Sequence, residues 1–390
     1  MSSHIMPTYG RLPVTFERGE GVWLWDQDNN RYFDALSGIA VCNLGHAHPV
    51  IHQAICEQSK KLIHTSNLYG VAAQELLATR LIKESSMDNV FFCNSGAEAN
   101  EAAIKIARLY GHQKNIAKPC ILVMENSFHG RTLATLSATG NPKIQEGFAP
   151  LVDGFVHIPF NNIDAINNAI KQNANIVAIL LEPVQGEGGV NIPAPDYLNQ
   201  VRKICDEHNL LMMLDEIQTG IGRTGKLFAF QHNDIIPDVC TLAKALGNGF
   251  PIGACLAKGK AATLLSAGKH GSTFGGNPLA CHTAGTVLDI LSSEQIIEQV
   301  EAKGSQLCAA LKNLLKDNSA ISNIRNKGLM IGIDLAMPCL ELVGIAQKEG
   351  LLINVTAEKT IRLLPPLIIT SEQIEYLAEQ LVSLIQAFTK

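Results

Sequence analysis

Short apolar runs of strand length alternate with helix-like segments through the middle of the chain, and this alternation limits the possible folds most. Examples are Ile121–Met124, Ile176–Leu181 and Leu210–Leu214. Strands buried on both faces of a parallel sheet contain such continuous apolar runs, and strands that alternate with helices build a parallel sheet. We therefore predict an α/β fold in which a mostly parallel sheet forms a large domain with helices on both faces.

A smaller α+β domain is predicted from the two ends of the chain. Near the start, Val22–Trp25 and Arg31–Phe33 flank a turn-rich loop, which favours a β-hairpin. The last hundred residues contain three strand-like runs, Met330–Leu335, Leu351–Val355 and Thr360–Leu364, with amphipathic stretches beside them, and we expect the N-terminal hairpin to join them. The predicted limits are residues 1–60 for the N-terminal segment, 61–285 for the large domain and 286–390 for the C-terminal small domain.

Two charged residues at the ends of predicted strands point to chemistry. The run Leu210–Leu214 leads into Asp215, which places an acid at the carboxyl end of a buried strand, where α/β sheets bind ligands. Lys244 follows the next apolar run among small residues, where lost hydration makes an amine available as a nucleophile. Alone, such a lysine is more commonly a snorkelling side chain and such an acid a helix cap. Together they match the needs of pyridoxal 5'-phosphate, which takes an amine, an acid for its ring nitrogen and a phosphate site.

A phosphate site is predicted at Gly96 and Ala97, between a predicted strand and a predicted helix. Glycine lets a ligand approach the backbone closely, and the free N–H groups and dipole at a helix start favour an anion. Many strand-to-helix turns have this pattern without any ligand, so the turn alone leaves both interpretations open.

Two arginines are candidates for binding carboxylates. Arg131 lies near a predicted helix start, where the helix dipole disfavours a cation, so an anion is expected beside it. Arg362 lies in a strand of otherwise apolar residues, where an unpaired charge would be costly. An acid partner for Arg362 is therefore expected.

Five segments, in this order, resemble the class III pyridoxal-phosphate aminotransferases, and among them most closely the acetylornithine aminotransferases. They are Asn94–Glu101, Ser127–Thr132, Glu182–Gly189, Asp215–Gln218 and Gly271–Pro278. The resemblance extends from about Pro13 to the C-terminus. It implies the fold of the fold type I PLP-dependent transferases and transfer of the δ-amino group of N2-acetylornithine to 2-oxoglutarate, which gives N-acetylglutamate 5-semialdehyde and glutamate.

The resemblance also implies roles for single residues. Lys244 is implied as the Schiff-base lysine and Asp215 as the partner of the ring nitrogen. The other cofactor-binding residues that it implies are Gly96, Ala97, Phe128, Gln218 and Thr273. Family members often carry threonine where Ala97 stands, so one phosphate-binding hydroxyl is absent here.

Four residues are implied as substrate contacts: Arg131, Ser272, Glu187 and Arg362. Glu187 would pair with Arg362 when the amine donor brings one carboxylate, and would leave it when glutamate brings two. Ser272 and Thr273 would reach the site from a partner subunit, which implies a homodimer with shared active sites.

Composition removes several other classes of function. The chain has 390 residues, is 46% hydrophobic and carries a formal net charge of -5, so no basic excess indicates a nucleic-acid partner. The sequence contains no uncharged apolar run of about 18 residues and begins without the features of a signal peptide, so we expect neither membrane insertion nor export, and a cytoplasmic location. Ten cysteines and twelve histidines are scattered, and we expect no metal site, with His46 and His48 structural.

Several alternatives remain within and beyond the family. Succinylornithine, succinyldiaminopimelate, ornithine and 4-aminobutyrate aminotransferases share these motifs, as does an aminomutase of the same class. Ornithine aminotransferases carry tyrosine where Ile39 stands, which favours an acylated amine here. A different class of protein, an α/β domain that binds phosphate ligands without catalysis, also fits the glycine-rich turns.

Overall fold

The structure is a computed structural model that describes residues 4–389. Its strands are β1 (Phe16–Glu20), β2 (Trp23–Asp26), β3 (Arg31–Asp34), β4 (Asn89–Cys93), β5 (Cys120–Met124), β6 (Phe155–Ile158), β7 (Ile176–Leu181), β8 (Leu211–Asp215), β9 (Val239–Leu242), β10 (Gly253–Ala257), β11 (Ile321–Lys327), β12 (Met330–Leu335), β13 (Leu351–Leu352), β14 (Asn354–Thr356) and β15 (Thr360–Leu363). Its helices are α1 (Ser37–Ala40), α2 (Pro49–Lys61), α3 (Ala72–Ser85), α4 (Gly96–Gln113), α5 (Leu133–Ala138), α6 (Pro142–Gln145), α7 (Ile163–Gln172), α8 (Tyr197–Glu207), α9 (Pro278–Ser293), α10 (Ile296–Leu314), α11 (Glu341–Lys348) and α12 (Ser371–Phe388).

The central sheet has seven strands in the order β4-β10-β9-β8-β7-β5-β6. Its neighbours from β9 to β6 pair in parallel, whereas β10 runs antiparallel to both β4 and β9. The predicted α/β fold with a mostly parallel sheet is confirmed. The sequence analysis missed β10, because its residues Gly253–Ala257 are mostly small and lack the β-branched and aromatic side chains that mark strands.

Both faces of the central sheet are covered, as the continuous apolar runs predict. In β8, Leu211 and Met213 pack into the apolar cluster that contains α4, whereas Met212 and Leu214 pack into the larger cluster on the opposite face. Alternate residues of a strand point to opposite faces, so a strand buried between two helix layers must be apolar throughout. Each fully buried side chain of this size contributes about 1.5–3 kcal/mol.

Two smaller sheets contain the remaining strands. One has the order β1-β2-β3-β13 and includes the predicted hairpin, in which Trp23 lies opposite Phe33. Leu351 of β13 pairs in parallel with Phe33, so the N-terminal strands and a C-terminal strand share this sheet. The other sheet is antiparallel, in the order β11-β12-β15-β14. The domain limits at residues 60 and 285 stay a prediction.

The predicted single strand over Leu351–Val355 is wrong. The structure divides it at Ile353, so that β13 pairs with β3 and β14 pairs with β15. Strand β11 was also missed, because its sequence Ile-Ser-Asn-Ile-Arg-Asn-Lys is mostly polar and partly exposed. None of the described helices is both long enough and apolar enough to cross a membrane.

The short turn α1, which follows β3, has an unusual backbone. Ser37, Gly38, Ile39 and Ala40 have φ values of 47°, 65°, 68° and 59°. Left-handed conformations cost non-glycine residues roughly 1–2 kcal/mol each, so the turn needs support. Asp34 Oδ1 accepts the N–H groups of Leu36 and Ser37, and Ser37 Oγ donates to the Leu364 carbonyl at 2.7 Å.

The second carboxylate oxygen of Asp34 lies 2.7 Å from His46 Nε2, and the His46 side chain is only 17% exposed. Burial alone would lower the pKa of His46, but the hydrogen bonds with Asp34 and Cys42 outweigh burial and raise it to about 9. His46 is therefore a charged partner of Asp34, in keeping with its structural interpretation. Among residues 4–389 no group of three or more His, Cys, Asp or Glu side chains is arranged to hold a metal ion.

A His46→Gln variant tests this ion pair through its pH dependence. Because the folded pKa lies above the usual 6.5, the pair stabilises the fold fully below about pH 6.5, and this contribution is lost as the pH rises through about 9. In urea unfolding, the free energy of unfolding of wild type should exceed that of the variant. This difference should be about 2–3 kcal/mol larger at pH 6 than at pH 10. His208→Gln, at an exposed position, is the control. An equal pH dependence for all three proteins would contradict the pairing.

Candidate active site

A cavity of about 420 Å³ lies at the carboxyl ends of the central strands. Residues that follow β4, β7 and β9 line it, and Asp215 reaches it from the last position of β8. Eight of the predicted site residues share its walls: Gly96, Ala97, Phe128, Arg131, Glu187, Asp215, Gln218 and Lys244. The structure therefore brings together residues that are separated by up to 148 positions in the sequence, from 96 to 244.

Asp215 is buried and held by side chains that the sequence analysis did not assign. Its Oδ2 accepts a hydrogen bond from Asn100 Nδ2 at 2.7 Å and lies 2.8 Å from His129 Nδ1. Thr241 Oγ1 donates to Asn100 Oδ1 at 2.8 Å, which fixes the orientation of the amide. His129 Nε2 is buried and has no partner within the described residues. The carboxylate is thus a fixed acceptor whose position does not depend on a ligand.

Lys244 begins a turn directly after β9 and has a φ of 44°, a left-handed value that is unfavourable for lysine. No described residue hydrogen-bonds or ion-pairs with its Nζ. Burial lowers the pKa of Lys244, and although Glu187 opposes this effect, Arg362 adds to it. The amine is therefore deprotonated more readily than that of an exposed lysine, which favours nucleophilic attack.

The first turn of α4 forms an anion site on the cavity wall. Ser95 is the N-cap, and its Oγ accepts the Glu98 N–H at 3.2 Å. The N–H groups of Gly96 and Ala97 have no partner within the helix, because the first turn of any α-helix lacks one. A β-carbon at Gly96 would lie 2.7 Å from the side chain of Ile217, so a larger residue here would have to displace that side chain. Free N–H groups and the positive end of the helix dipole suit a phosphate.

Phe128 and Arg131 form another part of the wall, with the guanidinium carbon 5.6 Å from the centre of the aromatic ring. The predicted helix start at Arg131 is wrong. Thr132 has an extended backbone and is the N-cap residue, and α5 begins at Leu133. Arg131 is exposed, and no described acid pairs with it. A cation in this position is available to a carboxylate.

Arg362, on β15, lies directly behind Glu187 and is completely buried. Its Nη1 donates to Glu187 Oε1 at 2.6 Å, and its Nη2 donates to Asn354 Oδ1 at 2.8 Å. A weaker contact of 3.4 Å joins Nη1 to Gln218 Oε1. Burial alone would raise the pKa of Glu187, but Arg362 outweighs burial and lowers it. The expected acid partner of Arg362 is therefore present, and Glu187 is ionised in this pair.

Glu182 is a further buried acid of the cavity wall to which the sequence analysis gave no role. Its two oxygens accept the N–H groups of Phe128 and Gly186, both at 3.0 Å. Burial raises the pKa of Glu182 to about 7, with Asp215 adding to this effect and His129 opposing it. The signal was available, since Glu182 follows the apolar run of β7 just as Asp215 follows that of β8.

Ser272 and Thr273 do not line the cavity that contains Lys244. They line a separate cavity together with Asn94 and Phe274. Ser272 Oγ accepts hydrogen bonds from Asn94 Nδ2 at 3.1 Å and from the Gly275 N–H at 3.0 Å. The prediction that both residues serve the site of a partner subunit stays a prediction.

Comparison with known proteins gives the family. The sequence matches the aminotransferase class-III family over residues 5–385. The chain belongs to the class-III aminotransferases. Its predicted resemblance to them, its fold type I architecture and its activity as a PLP-dependent transaminase are confirmed, and an α/β protein without catalysis is set aside.

Individual relatives cover almost the whole chain. It is 56% identical to the acetylornithine aminotransferase of Nitrosomonas europaea over 386 residues, which are 99% of this chain and 98% of that protein. Among solved structures, the ornithine aminotransferase of Toxoplasma gondii ME49 has a TM-score of 0.95 at 33% identity and covers 99% of this chain and 93% of its own. The acetylornithine aminotransferase of Elizabethkingia anophelis has a TM-score of 0.88 at 36% identity and covers 99% and 97%. The two solved structures share the fold of this chain but differ in their named substrates.

Proposed function

We propose that this class-III aminotransferase transfers the δ-amino group of N2-acetylornithine to 2-oxoglutarate, giving N-acetylglutamate 5-semialdehyde and glutamate in arginine biosynthesis. The observation that carries the proposal is a pair of arginines in different states: Arg131 lines the cavity without an acid partner, whereas Arg362 is buried behind the wall residue Glu187, which neutralises it. A substrate with one carboxylate needs only the first arginine. A substrate with two carboxylates also needs the second, and Glu187 must then leave it. The identity to named acetylornithine aminotransferases supports the same choice. A cytoplasmic location stays a prediction.

The cavity fits pyridoxal 5'-phosphate. Lys244 supplies an amine without a partner, and Asp215 supplies a fixed buried carboxylate for the ring nitrogen. The start of α4 supplies free N–H groups for the phosphate. Phe128 offers an aromatic face on which the cofactor ring would stack, and Gln218 offers a side-chain amide to the same ring. When bound, the cofactor supplies an electron sink for the carbanion that remains when a substrate proton leaves.

The residues of this chain then hold the substrate and move its protons. In one half-reaction Lys244 would accept the proton from Cδ of N2-acetylornithine. In the other it would give a proton to the Cα that 2-oxoglutarate contributes to the product glutamate. The lowered pKa of Lys244 increases the fraction of the neutral amine, which is the form that accepts a proton. Asp215, fixed by Asn100 and His129, would keep the ring nitrogen protonated. Arg131 would bind the α-carboxylate of N2-acetylornithine. Ser272 of a partner subunit would make a further contact with this substrate.

The first prediction from this proposal concerns Lys244. Lys244→Ala should lose turnover by more than about 100-fold, because it removes the nucleophilic amine and the proton carrier but little packing. With pyridoxal 5'-phosphate supplied, borohydride should attach the pyridoxyl group covalently to wild type, so that its absorbance stays with the protein after denaturation and removal of unbound cofactor, and the variant should keep none. Lys203→Ala, at an exposed position of α8, is the control and should resemble wild type. A variant that keeps a few per cent of the wild-type rate would show that Lys244 is not the essential amine.

We further propose a homodimer in which Ser272 and Thr273 serve the site of the neighbour. Large apolar side chains are exposed beside them, among which Leu68, Tyr69 and Phe274 stand out. The two segments form one surface, because Asn67 Nδ2 donates to the carbonyls of Ser272 and Gly275. Contiguous exposed apolar surface of this kind favours burial against a second copy.

Hybrid dimers test whether the sites are shared. Lys244→Ala and Thr273→Arg subunits should each be inactive alone, but a mixed dimer would have one site with wild-type Lys244 and wild-type Thr273. After random exchange of subunits, activity should recover to about a quarter of that of wild type. Subunit exchange must be verified with two different affinity tags. Verified hybrids without activity would show that each site is built from one chain.

The substrate preference is predicted from the turn α1. Ile39 packs against the small apolar cluster that contains Val190, and it lies two positions before Val41, which lines the cavity. Its side chain offers no hydrogen bond, so a free α-ammonium beside it would be left unpaired at a cost of roughly 1–3 kcal/mol, whereas an acylated amine carries no such charge. Activity (kcat/KM) with N2-acetylornithine should exceed that with ornithine by about tenfold or more.

The same assay, extended to other amines, separates the alternatives. Succinylornithine, succinyldiaminopimelate and 4-aminobutyrate should be compared as donors under identical conditions, since no residue of the cavity excludes a longer acyl group. Equal kcat/KM for ornithine and N2-acetylornithine would assign the chain to the ornithine enzymes, one of which, from Toxoplasma gondii, it resembles in fold.

A further inference from the structure

The loop 186–190, which carries Glu187, has a backbone that is packed without free space. A β-carbon at Gly186 would lie 2.1 Å from Gln218 Oε1, and one at Gly188 would lie 2.5 Å from the Asn126 carbonyl oxygen. Neighbouring groups thus approach the bare backbone on two sides. The loop cannot shift toward either side without displacing them.

Hydrogen bonds close the loop at its base. Gln185, before the loop, and Asn191, after it, exchange backbone hydrogen bonds at 3.1 and 3.0 Å. The Gly186 N–H also donates to Glu182 at 3.0 Å. These contacts fix the two flanking residues and the first residue of the loop.

Arg325, on β11, holds the second half of the loop. Its Nε donates to the Val190 carbonyl at 2.8 Å, and its Nη2 donates to the Gly189 carbonyl. Val190 has a φ of 55°, which is a strongly unfavourable value for a β-branched residue. The N–H groups of Gly189 and Val190 both donate to the Gly186 carbonyl at 3.3 Å, and the two hydrogen bonds from the guanidinium add to this support of the strained conformation.

Asp334, on β12, orients this guanidinium. It accepts from Arg325 Nη1 at 2.6 Å and from Nη2 at 2.9 Å, and Thr360 Oγ1 donates to it at 2.7 Å. A two-point contact between arginine and carboxylate fixes the plane of the guanidinium as well as its position. Only a planar donor group can bind Asp334 and both loop carbonyls together.

The two members of the Glu187–Arg362 pair differ in their freedom. The Arg362 side chain is 0% exposed and is held by Asn354, whereas the Glu187 side chain is 37% exposed. Space to move therefore exists on the side of Glu187 and not on that of Arg362. With the loop backbone fixed, this movement is a rotation of the Glu187 side chain.

We infer that Arg325, oriented by Asp334, is a positioning residue that fixes the loop 186–190 so that Glu187 joins or leaves Arg362 by side-chain rotation alone. By doing so it sets the balance between substrates with one carboxylate and substrates with two. The inference rests on the proposed function, in which both kinds of substrate use this cavity.

Releasing the loop should affect the two half-reactions differently. A mobile loop places Glu187 against Arg362 for less of the time, so the buried guanidinium is less well neutralised when the donor brings one carboxylate. Glutamate neutralises Arg362 with its own second carboxylate and does not need Glu187. A loss of the Arg325 contacts should therefore harm the half-reaction of N2-acetylornithine selectively.

The experiment compares Arg325→Met with wild type in single-turnover half-reactions of the enzyme loaded with pyridoxal 5'-phosphate. The rate constant divided by the apparent dissociation constant should fall about tenfold for N2-acetylornithine and by less than about twofold for glutamate. Arg325→Lys should show a shift in the same direction, because an ammonium cannot replace the planar contacts. An equal loss in both half-reactions would show that Arg325 only supports the fold and would overturn the inference.

Arg202→Met is the matched control. Arg202 is 15% exposed and pairs with Asp238 at 2.7 Å, while Arg325 is 16% exposed and pairs with Asp334 at 2.6 Å. Asp238 also accepts the N–H of Met212, near the beginning of β8, whereas the cavity lies at its end. This control should lose a comparable ion pair without changing the ratio of the two half-reactions.

Two further variants keep the inference open to refutation. If Arg325→Met does not fold, Asp334→Asn should change the ratio in the same direction by about threefold, because it weakens the orientation of Arg325. In a Glu187→Ala background, Arg325→Met should change the ratio no further, since both substitutions act through the same pair. Additive effects on the ratio would overturn the inference. Wild type without activity on N2-acetylornithine would instead refute the proposed function.

Discussion

The carboxylate of Asp215 is the fixed point to which the other groups of the site are related. It is buried at the end of β8 and is bound by Asn100 and His129 rather than by an arginine or a lysine. Burying a carboxylate is costly unless its oxygens are paired, and a protonated ring nitrogen in the cavity would supply a further partner. The fold thus holds a carboxylate in the place where the proposed cofactor needs it.

The remaining charges of the cavity form a balanced set around this point. Arg362 has Glu187 as its partner, Arg131 is free, and Lys244 tends toward the neutral amine because burial lowers its pKa. A cofactor phosphate and a substrate carboxylate add negative charge, and the start of α4 and Arg131 are the unpaired groups that receive it. Arg131 and the free N–H groups at the start of α4 therefore correspond to charges that the proposed reactants carry.

The sequence predicted the parts of this site that depend on strand ends and motifs. Asp215 and Lys244 follow buried apolar runs, and runs of this kind can be recognised without a structure. Asn100 and His129 could not be assigned in this way, because their roles depend on which strand lies beside α4 and on side-chain contacts over 115 and 86 residues. Strand β10 was missed because its small residues gain their burial from neighbours in the sheet and carry little strand propensity of their own.

Two strained backbone segments beside the cavity are held in place by residues from distant parts of the chain. Ile39 and Val190 both have positive φ values, and both pack in one small apolar cluster with Leu364. Such conformations cost about 1–3 kcal/mol each and persist only where several contacts hold them. Here Asp34 and Ser37 hold the first turn, and Arg325 holds the loop of the second. Because these supports come from the two smaller sheets while Asp215 and Lys244 come from the central one, the geometry of the cavity depends on how the three sheets pack together.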